Sequence, residues 1–459
     1  MVSRAWAVVS GSSSSSAAHR YAPAIHNRNH VNLIFLSKSP LFLNNLYNLV
    51  FYIEQLLMKP TNLEKKKIFN PELEILRGVA AMVVVLAHIV YKGQYFNNGY
   101  IPLPLKYLVL PAHFAVLIFF VLSGYVIGIN HKDRLVDEKI NDYLKKRFIR
   151  IYPIYFVATG LALLVATASY SLPTIFANFT ITQNMWYPVI AENSPAWTLN
   201  FEVLFYALFI PVSFYQVRPL MAIILSLSIA IASLYVPVVH VITAYAIGFC
   251  FWLSGLYLSR NTSKSVTPIR LIPIIFFMLA VGIIIGERDY IIPLHIPNFP
   301  PHLTVYWNLK IQAFDDLLLL PLAFLIVVLF SGLKFSYIKI CLAVVQIIPL
   351  YVIFVHKKEP EDPDFYMGIL FYVLAGLTLF IKIPENWIKK TGAWLGSISY
   401  GVYIIHYPLL ILFGQSIFIT DNLWLYIIKV FLYLAVVLIV AYQLEKVYQP
   451  IFKRLLPAR

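Results

Sequence analysis

Charged residues are scarce in this 459-residue chain, where Asp, Glu, Lys and Arg make up 12% and hydrophobic residues 60%. A soluble globular chain is about 25% charged and just under half apolar, so this composition excludes an ordinary water-soluble domain. Acidic residues are the scarcer charged type, 21 against 36 Lys and Arg. The net charge of +15 does not indicate nucleic-acid binding, because the basic residues lie in short stretches between long apolar runs, as in cytoplasmic loops of membrane proteins.

Cysteine is nearly absent. Cys250 and Cys341 both lie within apolar runs, so no disulfide framework or cysteine-based metal site is indicated. We expect both thiols to be packing residues of the core.

The apolar runs are long enough to cross a bilayer about twelve times, since a spanning helix needs about 20 mostly apolar residues. The sequence therefore predicts an all-α, polytopic transmembrane helix bundle with lipid as its main partner. The predicted spans are approximately 73–92, 106–129, 150–170, 199–216, 219–237, 241–259, 268–286, 313–332, 337–355, 365–382, 398–417 and 423–444.

Basic residues predict the orientation of these spans. Lys and Arg are dense between Lys132 and Arg150, in the loop after the second span, whereas the next loop, 171–198, has none. With twelve spans, nearly all basic loops fall on one side. The positive-inside rule then places both termini in the cytoplasm.

Residues 1–57 contribute no predicted span or motif. They form an N-terminal extension that is either disordered and transit-like or the result of a misassigned start, with Met58 as the initiator. We favour Met58, because Lys59–Lys67 then gives the first span a normal basic flank.

Two ionisable residues lie in the first predicted span, where a charge is costly and therefore indicates function. Eleven residues separate Arg77 from His88. Eleven steps of about 100° end about 20° past three full turns, so both residues face one direction, about 16 Å apart in depth. This places Arg77 near the cytoplasmic end and His88 near mid-membrane. The simpler interpretation is a satisfied histidine and a snorkelling arginine.

Further polar groups lie in other spans: Ser123 in the second, Glu202 in the fourth and His406 in the eleventh. Each alone is more often structural. Together with Arg77 and His88 they provide a base, a carboxylate and a cation, which suits either proton-transfer chemistry or ion-coupled transport. We find no internal repeat of the kind that transporters carry, but the residues alone leave the two functions unresolved.

Five stretches that contain these residues follow one another along the chain. They are Leu73–Met82 with His88, Phe119–Tyr125, Arg147–Pro153, Trp197–Tyr206 and Ser399–Pro408. In this order they resemble the motifs of the membrane acyltransferase 3 family, the inner-membrane O-acyltransferases of bacteria, over roughly residues 70–445. The first stretch is similar to the family's Arg-x10-His signature.

The resemblance implies a multi-pass enzyme of the cell inner (plasma) membrane. Residues 58–445 would form the acyltransferase 3 transmembrane domain, and 446–459 a basic cytoplasmic tail. The family core has about ten spans, to which 334–385 looks like an inserted pair. One departure is Leu117, which stands where the family often has an acidic residue.

The resemblance also implies transfer of an acyl group, usually acetyl, from acyl-CoA to a hydroxyl of a carbohydrate or lipid-linked sugar. No bound cofactor, metal or nucleic acid is expected. A neutral imidazole can act as the general base of this reaction. Arginines at the start of the third span can bind the phosphates of the donor, although cations there are also ordinary topology anchors. The acceptor side should open from the opposite face, and an ion-coupled transporter remains the alternative. The expected site residues are His88 and Arg77 for catalysis, Arg147, Arg150 and Ser123 for the donor, and Glu202, Tyr206 and His406 for the acceptor.

Overall fold

The computed structural model describes residues 71–234, 240–261, 270–286, 313–332, 363–381, 384–416 and 418–455. All regular structure within these ranges is helical. The α-helices in chain order are α1 (Pro71–Tyr91), α2 (Gly93–Asn97), α3 (Leu103–Lys106), α4 (Ala112–Asn130), α5 (Glu138–Leu164), α6 (Leu172–Phe179), α7 (Trp197–Phe214), α8 (Pro219–Leu234), α9 (His240–Asn261), α10 (Leu271–Gly286), α11 (Leu320–Ser331), α12 (Pro363–Phe380), α13 (Asn386–Gly396), α14 (Ser399–Ser416), α15 (Leu423–Tyr442) and α16 (Gln449–Leu455). Two 3₁₀ turns, Ala191–Ala196 and Asp316–Leu318, precede α7 and α11, and a π-helical segment, Gln443–Tyr448, joins α15 to α16.

The predicted all-α membrane bundle is confirmed in outline. Seven helical segments of the described chain are long and apolar enough to cross a bilayer, or eight if α13 and α14, which meet at a 69° bend, form one broken span. Shorter apolar helices lie at Pro219–Ser233, Leu271–Ile284 and Tyr366–Phe380. The predicted span 337–355, the extension 1–57, Met58 and Cys341 lie outside the described residues. The count of twelve spans and the side of the termini stay predictions.

Helix α5 begins well before its predicted start at residue 150, because the basic stretch ahead of the apolar run continues the helix from Glu138. Lys, Arg and Glu are good helix formers, so the helix begins before its apolar run does. Arg147 and Arg150 therefore lie within α5, and their position at the mouth of a span stays a prediction.

Helix α4 lies at the centre of the bundle and packs against α1, α9 and α11. Its contact with α9 is close enough to require glycine on both helices. A Cβ added to Gly124 would lie 1.8 Å from the Trp252 carbonyl oxygen, and one added to Gly255 would lie 1.9 Å from that of Val121. Small residues of this kind let membrane helices approach backbone to backbone.

Lys429 connects α2, which follows α1, to the loop before α15. Its buried ammonium donates to the carbonyls of Phe96 (2.8 Å) and Phe418 (3.0 Å) and lies 3.4 Å from Asn97 Oδ1. These oxygens satisfy the three donors of the lysine, so the buried charge is tolerated. The segment that follows His88 is thereby anchored to the loop before α15.

Candidate active site

A cavity of about 250 Å³ lies among α1, α4, α5, α7 and α14. It follows α4 from Asn130 to Val116, which corresponds to about 21 Å of helix at 1.5 Å per residue. One end is cationic, and the other is closed by apolar and aromatic side chains. The lining residues are Arg77, Val116, Phe119, Phe120, Ser123, Val126, Asn130, Arg147, Arg150, Ile151, Thr198, Leu199, Glu202, Tyr206, Ser399, Tyr400 and Tyr403.

Three of the lining residues are arginines, and Glu202 is the one carboxylate among them. Arg77 is paired with Glu74 at 2.8 Å, as residues one turn apart on α1. Within the described chain, Arg147 and Arg150 have no carboxylate close enough for an ion pair. The guanidinium of Arg147 lies over the rings of Tyr143 and Tyr206, at 5.8 and 5.6 Å, and its buried Nε has no partner among the described groups.

Glu202, Tyr206 and Ser123 form one hydrogen-bonded cluster on the cavity wall. The Tyr206 hydroxyl donates to Glu202 Oε1, and Ser123 Oγ lies 3.2 Å from the same oxygen. Trp252 Nε1 donates to Ser123 Oγ at 3.3 Å. Glu202 and Tyr206 were expected on the opposite face from the arginines, but they share the cavity with them. Their assignment to the acceptor stays a prediction, now at a location that also suits the donor.

His88 does not line the cavity. It lies in the last turn of α1, and its depth in the membrane stays a prediction. Its Nδ1 is 2.8 Å from the Val84 carbonyl oxygen and 3.3 Å from Nε2 of His406. His406 is fully buried, and its Nδ1 is 2.6 Å from the Tyr403 carbonyl oxygen. The structure thus brings together two histidines that belong to distant motifs.

Tyr403 and Thr198 both line the cavity and contact each other. Their hydroxyl oxygens are 3.0 Å apart, and both lie within 3.2 Å of the Pro195 carbonyl oxygen. Tyr403 lines the cavity, and His406 follows it by three residues on α14. The closed end of the cavity and the histidine pair are therefore one helical turn apart.

Two carboxylates near this site were not singled out from the sequence. Glu445, in the π-helical segment, accepts from the Gly401 backbone at 3.0 Å and interacts electrostatically with Arg150. Glu192 is buried in the 3₁₀ turn before α7, where it accepts from the Tyr170 hydroxyl at 2.6 Å. An acidic residue directly after the last predicted span, 423–444, was the available signal for Glu445, whereas Glu192 lies in a predicted loop, where acidic residues are common.

Tyr170 and His131, which lie beyond the ends of α5 and α4, have shifted pKa values. Burial, with Glu192 beside it, raises the pKa of Tyr170, so this hydroxyl stays a hydrogen-bond donor. Burial, reinforced by Arg147 and Lys146, lowers the pKa of His131 to about 4. His131 follows α4 and lies edge-on to the Tyr143 ring at 5.1 Å. It is therefore neutral at physiological pH and adds no charge to the cationic end of the cavity.

Comparison with known proteins identifies the architecture. The acyltransferase 3 family, described as an acyltransferase domain, matches residues 70–332. The chain is 25% identical over 390 residues to the peptidoglycan O-acetyltransferase OatA of Listeria monocytogenes, covering 81% of this chain and 54% of that protein. It is 28% identical over 151 residues to the acyltransferase MdmB of Streptomyces mycarofaciens (30% and 38%) and 33% identical over 105 residues to the exopolysaccharide production protein ExoZ of Rhizobium meliloti (20% and 31%).

The match to each of these relatives spans about half of its length or less. No solved structure matches the chain. The family match covers more than half of the chain and includes α1, α4, α5 and α7, which line the cavity. The chain belongs to the acyltransferase 3 family.

Proposed function

We propose that this protein is an integral membrane O-acyltransferase that moves an acyl group, with acetyl expected, from acyl-CoA to a hydroxyl of a carbohydrate or lipid-linked sugar. The observation that carries the proposal is a cavity with two arginines that form no ion pair within the described residues, and whose closed end lies one helical turn from His406, the neighbour of His88. Two relatives are named for peptidoglycan O-acetylation and exopolysaccharide production, which supports a sugar acceptor.

The cationic end suits the donor. Acyl-CoA carries several phosphates, and guanidinium groups bind phosphate through paired, charge-assisted hydrogen bonds. Arg147 has a buried Nε without a partner among the described groups, and Arg150 forms no ion pair within them, while Arg77 is held by Glu74. The cavity is too small for the whole donor and too apolar at its closed end for a nucleotide. We therefore assign the phosphates to the arginine end and the acyl thioester to the end near Tyr403.

The reaction needs one base. The acceptor oxygen attacks the thioester carbonyl carbon while His88 takes the hydroxyl proton, so that a C–O bond forms as the O–H bond breaks. The C–S bond then breaks, and the CoA thiolate recovers the proton from the imidazolium. His88 does not line the cavity, so the proposal requires the contact between Tyr403 and Thr198 at its end to part before the thioester reaches His88.

The remaining predictions belong to the same proposal. Twelve spans with both termini in the cytoplasm would put the arginine end on the cytoplasmic side, where acyl-CoA is found. Residues 58–445 would form the catalytic domain, with 334–385 as an inserted pair of spans and the inner membrane as its location. The transporter alternative gains no support from the matching family or from its relatives.

Acyl transfer by the purified protein tests the proposal. The protein in lipid nanodiscs is mixed with [¹⁴C]acetyl-CoA and with cell-surface glycans isolated from a strain that lacks the gene. We expect label to enter the glycan fraction, with equimolar release of CoA thiol. Mass spectrometry of surface glycans from the deletion strain and its parent identifies the acceptor. Absence of both label transfer and any difference in glycan mass would contradict the proposal.

A further inference from the structure

We propose that His406 is a positioning residue that holds His88 as the Nδ1–H tautomer, so that Nε2 of His88 is the atom that takes the acceptor's proton. The inference rests on the proposed function for its catalytic meaning. The tautomer itself follows from the hydrogen-bond geometry of the two rings.

The proton on His406 is assigned first. Its Nδ1 is 2.6 Å from the Tyr403 carbonyl oxygen. A carbonyl oxygen only accepts, so Nδ1 of His406 carries the hydrogen. In a neutral imidazole the other nitrogen is then an acceptor. Nε2 of His406 therefore presents a lone pair, and it does so inside a fully buried site.

The proton on His88 follows from this. Its Nδ1 lies 2.8 Å from the Val84 carbonyl oxygen and 3.3 Å from Nε2 of His406. Both neighbours are acceptors, so only an N–H at this position satisfies them. The lone pair of a neutral His88 is then on Nε2. No described group forms a hydrogen bond with that atom, which leaves it available to a substrate hydroxyl.

Burial divides the roles between the two rings. His88 is half-buried, whereas His406 has no exposed surface, so only His88 is open to an acceptor. Tyr407 lies edge-on to His88 at 5.2 Å and restricts rotation of its ring. When His88 takes a proton, its Nδ1–H already faces two acceptors that stabilise the imidazolium. The partner imidazole thus acts as the orienting carboxylate does in a Ser-His-Asp triad.

Two variants of similar size separate this role from simple packing. In His406→Gln the side-chain amide lies near the position of Nε2 and supplies an oxygen that accepts from His88. In His406→Asn the amide lies near Nδ1, which retains a donor for Tyr403 but leaves His88 without its partner. Both changes remove a ring from the same buried space, so a packing role predicts equal losses.

We expect His406→Gln to keep kcat within a few-fold of the wild type. We expect His406→Asn to lower kcat by about 10- to 100-fold, the range found for orienting partners of metal-bound histidines. The KM for acetyl-CoA should be unchanged in both variants, because neither touches the arginine end. Equal loss of kcat in the two variants overturns the positioning role.

The tautomer is measured separately by ¹⁵N NMR of the histidine-labelled protein in lipid, with His88→Gln identifying the His88 signals. We expect Nδ1–H and an unprotonated Nε2 at His88 in the wild type, and loss of this pattern in His406→Asn. An Nε2–H signal at His88 in the wild type overturns the inference. If the assigned tautomer is found in a protein that transfers no acyl group, the proposed function fails while the geometry stands.

Discussion

At the scale of single residues, the arginines of the cavity are the sharpest test of the donor site. Arg147→Ala or Arg150→Ala should raise the KM for acetyl-CoA by about 10-fold or more, since charge-assisted hydrogen bonds contribute about 1.5–3 kcal/mol. The KM for the acceptor and the kcat should change little. Initial-rate kinetics at varied donor and acceptor concentrations measure the difference.

Lys146→Ala is the matched control for these variants. Lys146 is the neighbour of Arg147 on α5, but it lies 3.9 Å from Asp142 and outside the cavity lining. Its loss removes the same charge from the same side of the bundle. An equal rise in donor KM for Lys146→Ala would show that the arginines act only through the general positive field.

His131 should make the protein less stable as the pH falls. Its pKa is about 4 in the folded protein, against an ordinary value of 6.5. Between pH 6.5 and pH 4 the unfolded chain takes up a proton at His131 that the folded chain does not, so the stability of the fold decreases as the pH drops through this range. Below about pH 4 both states are protonated at His131, and this residue causes no further loss of stability. We expect His131→Phe, which keeps the contact with Tyr143, to lose Tm less steeply over this range. Parallel Tm curves for the two proteins would contradict the assignment.

Several site residues could be predicted from the sequence because motifs and helical phase report on local geometry. Ser123, Arg147 and Arg150 were assigned to the donor and Arg77 to catalysis, and all four line one cavity, while their roles stay predictions. The sequence did not predict that Glu202 shares a cavity with the arginines, because it does not show how far a cavity extends between helices. The cavity follows α4 deep enough to meet Glu202 near the start of α7.

At the scale of helices, we expect the contact between Thr198 of α7 and Tyr403 of α14 to decide whether the cavity reaches His88. Tyr403→Phe removes one hydroxyl from the barrier and leaves Thr198 within reach of Pro195. A hydrogen bond contributes about 1 kcal/mol net, so opening of the barrier should become about 5-fold more frequent. We expect acceptor-independent hydrolysis of acetyl-CoA to rise by a similar factor. Release of CoA thiol in the absence of glycan measures this hydrolysis. An unchanged rate in Tyr403→Phe would show that the contact with Thr198 is not a barrier.

The close crossing of α4 and α9 is tested by a pair of glycine substitutions. Gly124→Ala places a methyl group 1.8 Å from a backbone oxygen, so the helices have to separate, at a cost of about 1–3 kcal/mol or more. Gly160→Ala in α5 meets no atom within 4 Å and should be neutral or stabilise the helix by about 0.5–1 kcal/mol. Thermal unfolding in detergent distinguishes them. Equal Tm values would show that the crossing is loose.

Long apolar runs allowed the helices to be predicted, and every predicted span within the described ranges overlaps one. The helix ends were less predictable. Helix α5 begins in the charged residues ahead of its apolar run, because Lys, Arg and Glu also favour the helix. The pairing of His88 with His406 was also invisible, since it depends on how α1 packs against α14, more than three hundred residues along the chain.

At the scale of the whole molecule, use of cytoplasmic acyl-CoA requires the arginine end of the cavity to face the cytoplasm. Single cysteines at Asp133 and Trp186, both exposed positions on opposite sides of the predicted membrane, test this in a variant with Cys250 and Cys341 replaced by serine. A membrane-impermeant maleimide should label position 186 in intact cells and position 133 only after permeabilisation. The reverse pattern would place the donor site outside and contradict the use of cytoplasmic acyl-CoA.

The central claim is that His88 is the base of an acyl transfer fed from the arginine end of the cavity. The turnover of His88→Ala and His88→Gln, each with its KM for acetyl-CoA, tests it most directly. General-base assistance is worth about 10²–10⁴-fold in rate, so both variants should lose at least that much while they still insert and bind the donor normally. If His88→Gln instead keeps most of the wild-type turnover, His88 only supplies a hydrogen bond and the account of the base is wrong.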